Sequence, residues 1–151
     1  MNTIDLRYDA CGLDNVVLKG LPVLTADDGE EVITIPNIGL LHRVLTVAVA
    51  TKKSGLTPKE LRFLRTELGL SQAELARQVG KEVQAIGRWE RGECPIDTAA
   101  EIVVRMRVLQ EARPEELPLV SDLPRLTVRT ADEPQFLIDA SDPSHYQEIA
   151  A

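Results

Sequence analysis

Aromatic side chains make up only 3% of this chain, so its core must be built from aliphatic residues. Their scarcity argues against binding of single-stranded nucleic acid, which uses aromatic stacking platforms. No apolar run reaches the ~20 residues that a membrane-spanning helix needs, so no membrane partner is expected. The start of the chain lacks the basic and apolar regions of a secretory signal, and cytoplasmic residence is expected.

The residue types that build metal and catalytic centres are also few. Cys11 and Cys94 lie far apart and form no CxxC pair, which argues against a disulfide framework. With His42 and His145 they do not match the usual spacing of a zinc site. A nucleophile built from Cys11, His42 and Asp14 has no local support. No phosphate loop or paired acid and base is present, so we expect no catalytic residue, no cofactor, no metal and no enzymatic activity.

Charge is distributed unevenly along the chain. The net charge is −7, which by itself argues against nucleic acid as a partner. Between Lys52 and Gly92, however, nine basic residues face five acidic ones, and the rest of the chain carries the whole negative excess. Such segregation suggests one partner for the middle of the chain and another for its ends.

Residues 1–55 are predicted to form an N-terminal hairpin followed by a helix. The β-prone runs Asn15–Leu18 and Glu31–Ile35 flank a turn signal at Thr25–Gly29, and a hairpin between them is the simple interpretation. Asn37 can cap a helix whose apolar positions recur at spacings of three and four, namely Ile38, Leu41, Leu45 and Val49.

Residues 56–113 are predicted to form an all-helical domain. Two capping boxes, Thr57–Glu60 and Ser71–Glu74, mark helix starts. Gly69, Gly80 and Gly92 are placed to end helices. A last helix starts after Pro95, with Asp97 or Thr98 as its cap. Its apolar stripe Ile102, Met106 and Leu109 fits either the core or the seam of a dimer.

Residues 114–151 form an acidic extension that holds five of the nine prolines. Such a composition suits an extended tail. Yet the runs Leu126–Arg129 and Gln135–Asp139 are β-prone and flank Ala131–Pro134. They predict a second hairpin, which could lie against the first. The expected fold class is therefore mainly α, with small β additions at both ends.

Ser71 to Gly92 have the dimensions of a helix-turn-helix, two short helices joined by a tight glycine turn. The second helix of such a unit enters the major groove, where its exposed N-terminal half meets base edges. Four residues hold those positions: Val83, Gln84, Gly87 and Arg88. Gln84 can bridge adenine N6 and N7, and Arg88 can bridge guanine O6 and N7.

The motif resembles the Xre/Cro helix-turn-helix of phage repressors and antitoxins. The resemblance rests on Leu68-Gly-Leu-Ser-Gln-Ala-Glu-Leu-Ala76, on Gly80, and on Arg88-Trp-Glu-Arg-Gly92. The resemblance extends from Leu56 to Ala112. It implies a five-helix domain that acts as a homodimer on a palindromic operator in double-stranded DNA.

The resemblance also implies roles for single positions. Gln72 matches a residue that touches phosphate and supports the recognition helix, and Gln84 and Arg88 match base-contacting positions. Arg65 and Glu90 match a family ion pair. Three further cations around the motif are expected to contact phosphate: Arg77, Lys81 and Arg91.

Two residues depart from the family pattern, and the flanks add a weaker resemblance. Glu82 stands where the family often has a serine or threonine cap, and Gly87 replaces a common serine. Outside the motif, several short stretches resemble the N-terminal part of MqsA-like antitoxin regulators, although the CxxC pairs of their zinc module are missing: Tyr8, Gly12–Val16, Leu18, Ile35–Asn37 and Leu41–Arg43.

The sequence therefore predicts a DNA-binding transcription regulator, acting as a homodimeric repressor on an inverted repeat. The alternative is an antitoxin that neutralises a protein toxin and autoregulates its operon, because the acidic flanks could cover a basic partner.

Overall fold

The computed structural model describes residues 2–128 and 134–149, which form a mixed fold with strands at both ends and helices between them. Its elements are β1 (Thr3–Arg7), β2 (Val16–Pro22), β3 (Leu24–Thr25), β4 (Glu31–Val32), α1 (Ile38–Thr51), α2 (Pro58–Glu67), α3 (Gln72–Val79), α4 (Val83–Glu90), α5 (Thr98–Ala112), α6 (Leu123–Leu126), β5 (Phe136–Asp139) and β6 (Gln147–Ile149). Short 3-10 turns occupy Pro114–Glu116 and Val120–Asp122. Among residues 2–128 and 134–149, no helix has the length and apolar character of a membrane span.

The chain divides into two compact units, Met1–Leu45 with Glu133–Ala151, and Thr46–Asp132. The boundary between them falls within α1. The first unit thus joins parts of the first and last predicted segments, 1–55 and 114–151. The three-segment division of the sequence, with its helical domain at 56–113, stays a prediction.

The first unit is built on a four-stranded sheet in the order β1-β2-β5-β6. The central strand β2 runs antiparallel to β1 and parallel to β5, with Val16 opposite Phe136 and Leu18 opposite Ile138. These four side chains are buried and the residues between them are half-buried, as expected for a sheet with one buried face. A parallel pair needs a long crossover connection, and here that connection is the entire helical part of the chain.

The hairpin predicted near the N-terminus differs from the one observed. The run that begins at Asn15 contributes to β2, which pairs with β1 and β5 and not with the run Glu31–Ile35. Glu31 and Val32 instead pair with Thr25 and Leu24 as a separate two-stranded hairpin. The predicted turn at Thr25–Gly29 is present, but it joins β3 to β4 and not β2 to the run Glu31–Ile35.

The second predicted hairpin is correct in one strand only. Phe136–Asp139 form β5, which joins β2 of the N-terminal sheet, but its hairpin partner is β6 and not the run Leu126–Arg129. Leu126 ends α6, and Thr127 and Val128 form no strand. The rest of that run, Arg129, and most of the predicted turn Ala131–Pro134 lie outside the described residues.

The helix starts of the second unit follow the capping signals. Thr57 and Ser71 each form a complete capping box, and the side chain of Asp97 accepts from the backbone of Ala100. Gly69, Gly80 and Gly92 have φ values between 68° and 73°, which few residues other than glycine adopt readily. Asn37, which precedes α1, also has a positive φ, of 58°. Its side-chain amide donates to the carbonyl of Pro143, in the same unit.

Buried charges tie the second unit together. Arg105 on α5 is fully buried and donates to the carbonyls of Ala50, Ser54, Lys52 and Leu126, and to the carboxylate of Glu101. The desolvation of the guanidinium lowers the pKa of Arg105, and the charge of Glu101 offsets part of that effect. Arg105 thereby binds backbone oxygens at the end of α1 and α6, which otherwise would be unsatisfied.

Candidate nucleic-acid interface

The helices α3 and α4 are separated by only three residues. Gly80 closes α3 in the left-handed conformation and its N–H bonds the carbonyl of Ala76. The N–H of Lys81 donates to the same carbonyl at 2.9 Å. Glu82 precedes α4 without making a side-chain cap, as its departure from the family pattern suggested. This short connection fixes the direction in which α4 leaves α3.

One side of α4 is buried and the other is exposed. Ile86 is 0% exposed and Trp89 is 6% exposed, so these side chains anchor the helix in the core. Val83, Gln84 and Arg88 are exposed. Because residues four apart lie on one helix face, Gln84 and Arg88 are neighbours on the exposed surface.

The polar ends of Gln84 and Arg88 are not used inside the protein. Within residues 2–128 and 134–149, neither side chain makes a hydrogen bond or an ion pair. By contrast, no buried side-chain nitrogen or oxygen in this part of the chain lacks a partner. An amide and a guanidinium that project from one helix into solvent are therefore available for an external ligand.

The ends of α2, α3 and α4 meet in a network centred on Glu90. Arg65 on α2 donates to Glu90 through Nε at 2.6 Å and through Nη2 at 2.9 Å. Gln72, the first residue of α3, donates its amide to the same carboxylate at 3.1 Å. The ion pair that the family resemblance implied is thus present, and it also orients Gln72. The phosphate contact of Gln72 stays a prediction.

Gly87 is the predicted base-contact position that the structure does not expose. It is buried, and a Cβ built there would lie 2.9 Å from Nη1 of Arg91. The sequence did not single out Glu93, which holds Arg91 through two hydrogen bonds of 3.1 and 3.0 Å. The pairing lowers the pKa of Glu93 and raises that of Arg91. Its only sequence signal is an acid two residues after the arginine.

The positive charge of the motif is carried by exposed side chains. Two of the nine basic residues from Lys52 to Gly92 are internal: Lys52 pairs with the buried Glu60 at 2.6 Å, and Arg65 pairs with Glu90. The other seven are exposed, against three exposed acids. Arg77 and Lys81 are among the seven, as phosphate contact would require.

The apolar stripe of α5 is only partly accessible. Leu109 is 1% exposed and belongs to the core of its own unit, so a second chain cannot reach it. Ile102 and Met106 are half-buried. Val103, beside them, is 43% exposed. A seam, if α5 supplies one, would therefore use Ile102, Val103 and Met106, in the second and third turns of the helix, and not Leu109.

The histidine and cysteine candidates do not assemble into a site. Nε2 of His42 lies 2.6 Å from the phenolic oxygen of Tyr8, and the two rings meet edge to face. Cys11 and Cys94 are half-buried and are not joined in a disulfide. The described residues contain no group of three or more His, Cys, Asp or Glu side chains that could hold a metal ion.

Comparison with known families agrees with this geometry. Residues 61–105 match the protein-family model described as Helix-turn-helix, and the match covers most of α2, all of α3 and α4, and half of α5. No curated protein and no solved structure matches the chain. The resemblance of the flanking residues to MqsA-like antitoxins therefore stays unconfirmed.

Proposed function

We propose that α4 is the helix by which this protein reads duplex DNA. The match of residues 61–105 to the helix-turn-helix family model supports a DNA-binding transcription regulator of the Xre/Cro type. The observation that carries this proposal is the pair Gln84 and Arg88, which are exposed on one face of α4 and make no hydrogen bond or ion pair with the described residues. Val83 would add an apolar contact to a thymine methyl group beside them.

Phosphate contacts would supply much of the affinity. Arg77 lies on α3, Lys81 lies in the turn after it and Arg91 is the C-cap residue of α4, and Gln72 at the start of α3 would add an uncharged contact. Each phosphate that a cation neutralises releases counterions, so binding should weaken steeply as salt is raised. DNA binding is compatible with a net charge of −7 because only the local basic surface meets the duplex.

We further propose that the protein acts as a homodimeric repressor on an inverted repeat. Two copies of α4 would enter successive major grooves, about 34 Å apart, which requires a two-fold axis. Ile102, Val103 and Met106 on α5 are the accessible apolar residues that could bury against a second copy. Four helices, α2 to α5, lie within the range Leu56–Ala112 of the resemblance, so the implied five-helix count stays a prediction. Occlusion of polymerase at the operator would then repress transcription.

The test is a fluorescence anisotropy titration at physiological salt. The duplexes are the intergenic DNA upstream of the protein's own gene and a scrambled duplex of the same composition. We expect a clear preference for the native duplex. Equal, weak binding to both would refute sequence-specific regulation.

A second candidate function is neutralisation of a toxin, with DNA binding as autoregulation. The supporting observation is charge: the unit formed by 1–45 and 133–151 has eleven acidic residues and three basic ones. An acidic unit suits a basic protein partner such as a ribonuclease. Co-expression with each neighbouring gene and purification from the native operon should recover a stable complex, whereas a lone protein would count against this candidate.

A further inference from the structure

The space beside Gly87 on the recognition helix is filled by a side chain from elsewhere on the motif. Nη1 of Arg91 lies 2.9 Å from where a Cβ of residue 87 would be, so even alanine would displace the guanidinium. Residue 87 is one turn before Arg91, and glycine in a helix interior costs about 1 kcal/mol relative to alanine. The glycine thus creates room for Arg91 to fold back along α4.

Two groups define the position of that guanidinium. Glu93 accepts from Nε and Nη2, which are one edge of the planar fork. Nη1 makes no hydrogen bond with the described residues and lies on the side of Gly87. The edge formed by Nη1 and the second N–H of Nη2 is therefore open. The Oε1 atom of Gln72 lies 3.7 Å from the same Cβ position. The Nε2 atom of Gln72 donates to Glu90.

We propose that Arg91, held by Glu93 in the room that Gly87 leaves, is a DNA-contacting residue that substitutes for the missing side chain of residue 87. This inference rests on the proposed DNA binding by α4. The open edge of the guanidinium presents two N–H donors, which fit a pair of acceptor oxygens or nitrogens. Both a guanine edge and a phosphate offer such a pair. Glu93 fixes the fork before DNA arrives, so less side-chain entropy is lost on binding.

A different role for Gly87 would be close approach of the α4 backbone to DNA. In that case alanine would clash with the duplex directly, whatever residue stands at position 91. The two explanations differ in whether the effect of Gly87→Ala depends on Arg91. A double-mutant cycle measures that dependence.

The experiment is an anisotropy titration of the native duplex with wild type, Gly87→Ala, Arg91→Ala and the double variant. We expect Gly87→Ala and Arg91→Ala each to raise Kd by about tenfold. In the Arg91→Ala background, Gly87→Ala should change Kd by less than about twofold. An equal, full loss from Gly87→Ala in both backgrounds would overturn the inference and leave the proposed function intact.

Gly39→Ala is the matched control for the glycine substitution. Gly39 also lies inside a helix, and a Cβ there would meet nothing within 4 Å. It should leave Kd unchanged. Gly87→Ala should not lower the melting temperature either, since a flexible side chain is all that must move. Loss of DNA binding without loss of stability therefore separates displacement of Arg91 from unfolding.

A DNA-free measurement keeps the inference testable if the wild type binds no duplex. The ¹⁵N–¹H resonance of Arg91 Nε should be protected from solvent exchange in the free protein, and both Gly87→Ala and Glu93→Gln should shift it and remove the protection. A resonance that neither variant changes would refute the arrangement. If DNA binds, base substitutions in the operator identify the contacted group: the Arg91→Ala penalty disappears at one guanine for a base contact and is the same on all sequences for a phosphate.

Discussion

Arg65 on α2 and Glu90 at the end of α4 are joined by two hydrogen bonds, 2.6 Å from Nε and 2.9 Å from Nη2. The two side chains are only 14% and 5% exposed. Glu90 also accepts the amide of Gln72, so one carboxylate connects three helices. These bonds hold the end of α4 against α2 and α3, on the side of the helix opposite to Gln84 and Arg88.

Removal of Glu90 should destabilise the protein strongly. Glu90→Ala leaves a largely buried guanidinium without its partner, and we expect a loss of about 3 kcal/mol in the free energy of unfolding. Glu93→Ala is the matched control, because it removes a carboxylate from an exposed arginine pair and should change stability little. Urea unfolding followed by circular dichroism measures both. Equal losses from the two variants would contradict the structural role of the Arg65–Glu90 pair.

Arg105 should be similarly intolerant of change. Arg105→Met removes the ion-pair partner of the buried Glu101 and the donor to four backbone carbonyls, so the loss should be about 4 kcal/mol or more. Arg105→Lys should not restore stability, since one ammonium cannot replace the planar fork. Arg125→Met, at an exposed arginine of the same unit, is the control. Thermal and urea unfolding that rank Arg105→Lys near wild type would show the fork to be dispensable.

The capping box of α3 should appear in an acid titration. Hydrogen bonds from Ser71, first from its hydroxyl and then from its backbone N–H, hold the pKa of Glu74 below its ordinary value of 4.5. A lowered pKa in the folded state contributes stability that is fully present above pH 4.5 and is lost as the pH falls through the folded pKa. Ser71→Ala should therefore raise the pKa of Glu74 towards 4.5.

Carboxyl-detected NMR provides the measurement. The pKa of Glu93, which Arg91 lowers, is an internal reference that Ser71→Ala should not move. The lost N-cap should also cost roughly 1 kcal/mol near neutral pH. A Glu74 pKa that is the same in wild type and variant would show that Ser71 does not bind this carboxylate.

The proposed dimer should depend on the exposed part of α5. Val103→Glu places a charge where Ile102 and Met106 would meet a second chain, and we expect monomers in sedimentation velocity at concentrations where the wild type is dimeric. Val120→Glu is the matched control, because Val120 is 82% exposed outside α5. A dimer that survives Val103→Glu and dissociates with Val120→Glu would place the interface on the C-terminal turns.

Local signals in the sequence predicted the helical part of the fold well. Thr57, Ser71 and the glycines that follow the helices determine boundaries through hydrogen bonds within a few residues, and the recurrence of Leu41, Leu45 and Val49 marks the buried face of α1. Strand pairing could not be predicted in this way. The register of β2 with β5 joins Val16 to Phe136 across the whole helical part of the chain, and nothing within either run specifies that partner.

The exposure of Gln84 and Arg88 could be predicted from the sequence, but not every contact around the candidate site. Their place on the exposed face follows from the helical repeat, because Ile86 and Trp89 occupy the buried face of α4. The burial of Gly87 depends on how the Arg91 side chain folds back to Glu93, which is a tertiary relationship. The burial of Arg105 was missed because a charged residue is expected on the surface, and its partners far along the chain are not visible in the sequence.

The central claim is that α4 reads sequence through Arg88. The most direct test is the discrimination between the native duplex and single base-pair substitutions of it, compared for wild type, Arg88→Ala and the equally charged control Arg125→Ala. We expect Arg88→Ala to lose about 1–3 kcal/mol of binding on the native duplex and to become indifferent to one guanine, while Arg125→Ala keeps the wild-type discrimination. A uniform, equal weakening of both variants on every duplex would show that Arg88 contributes charge alone, and would contradict the claim.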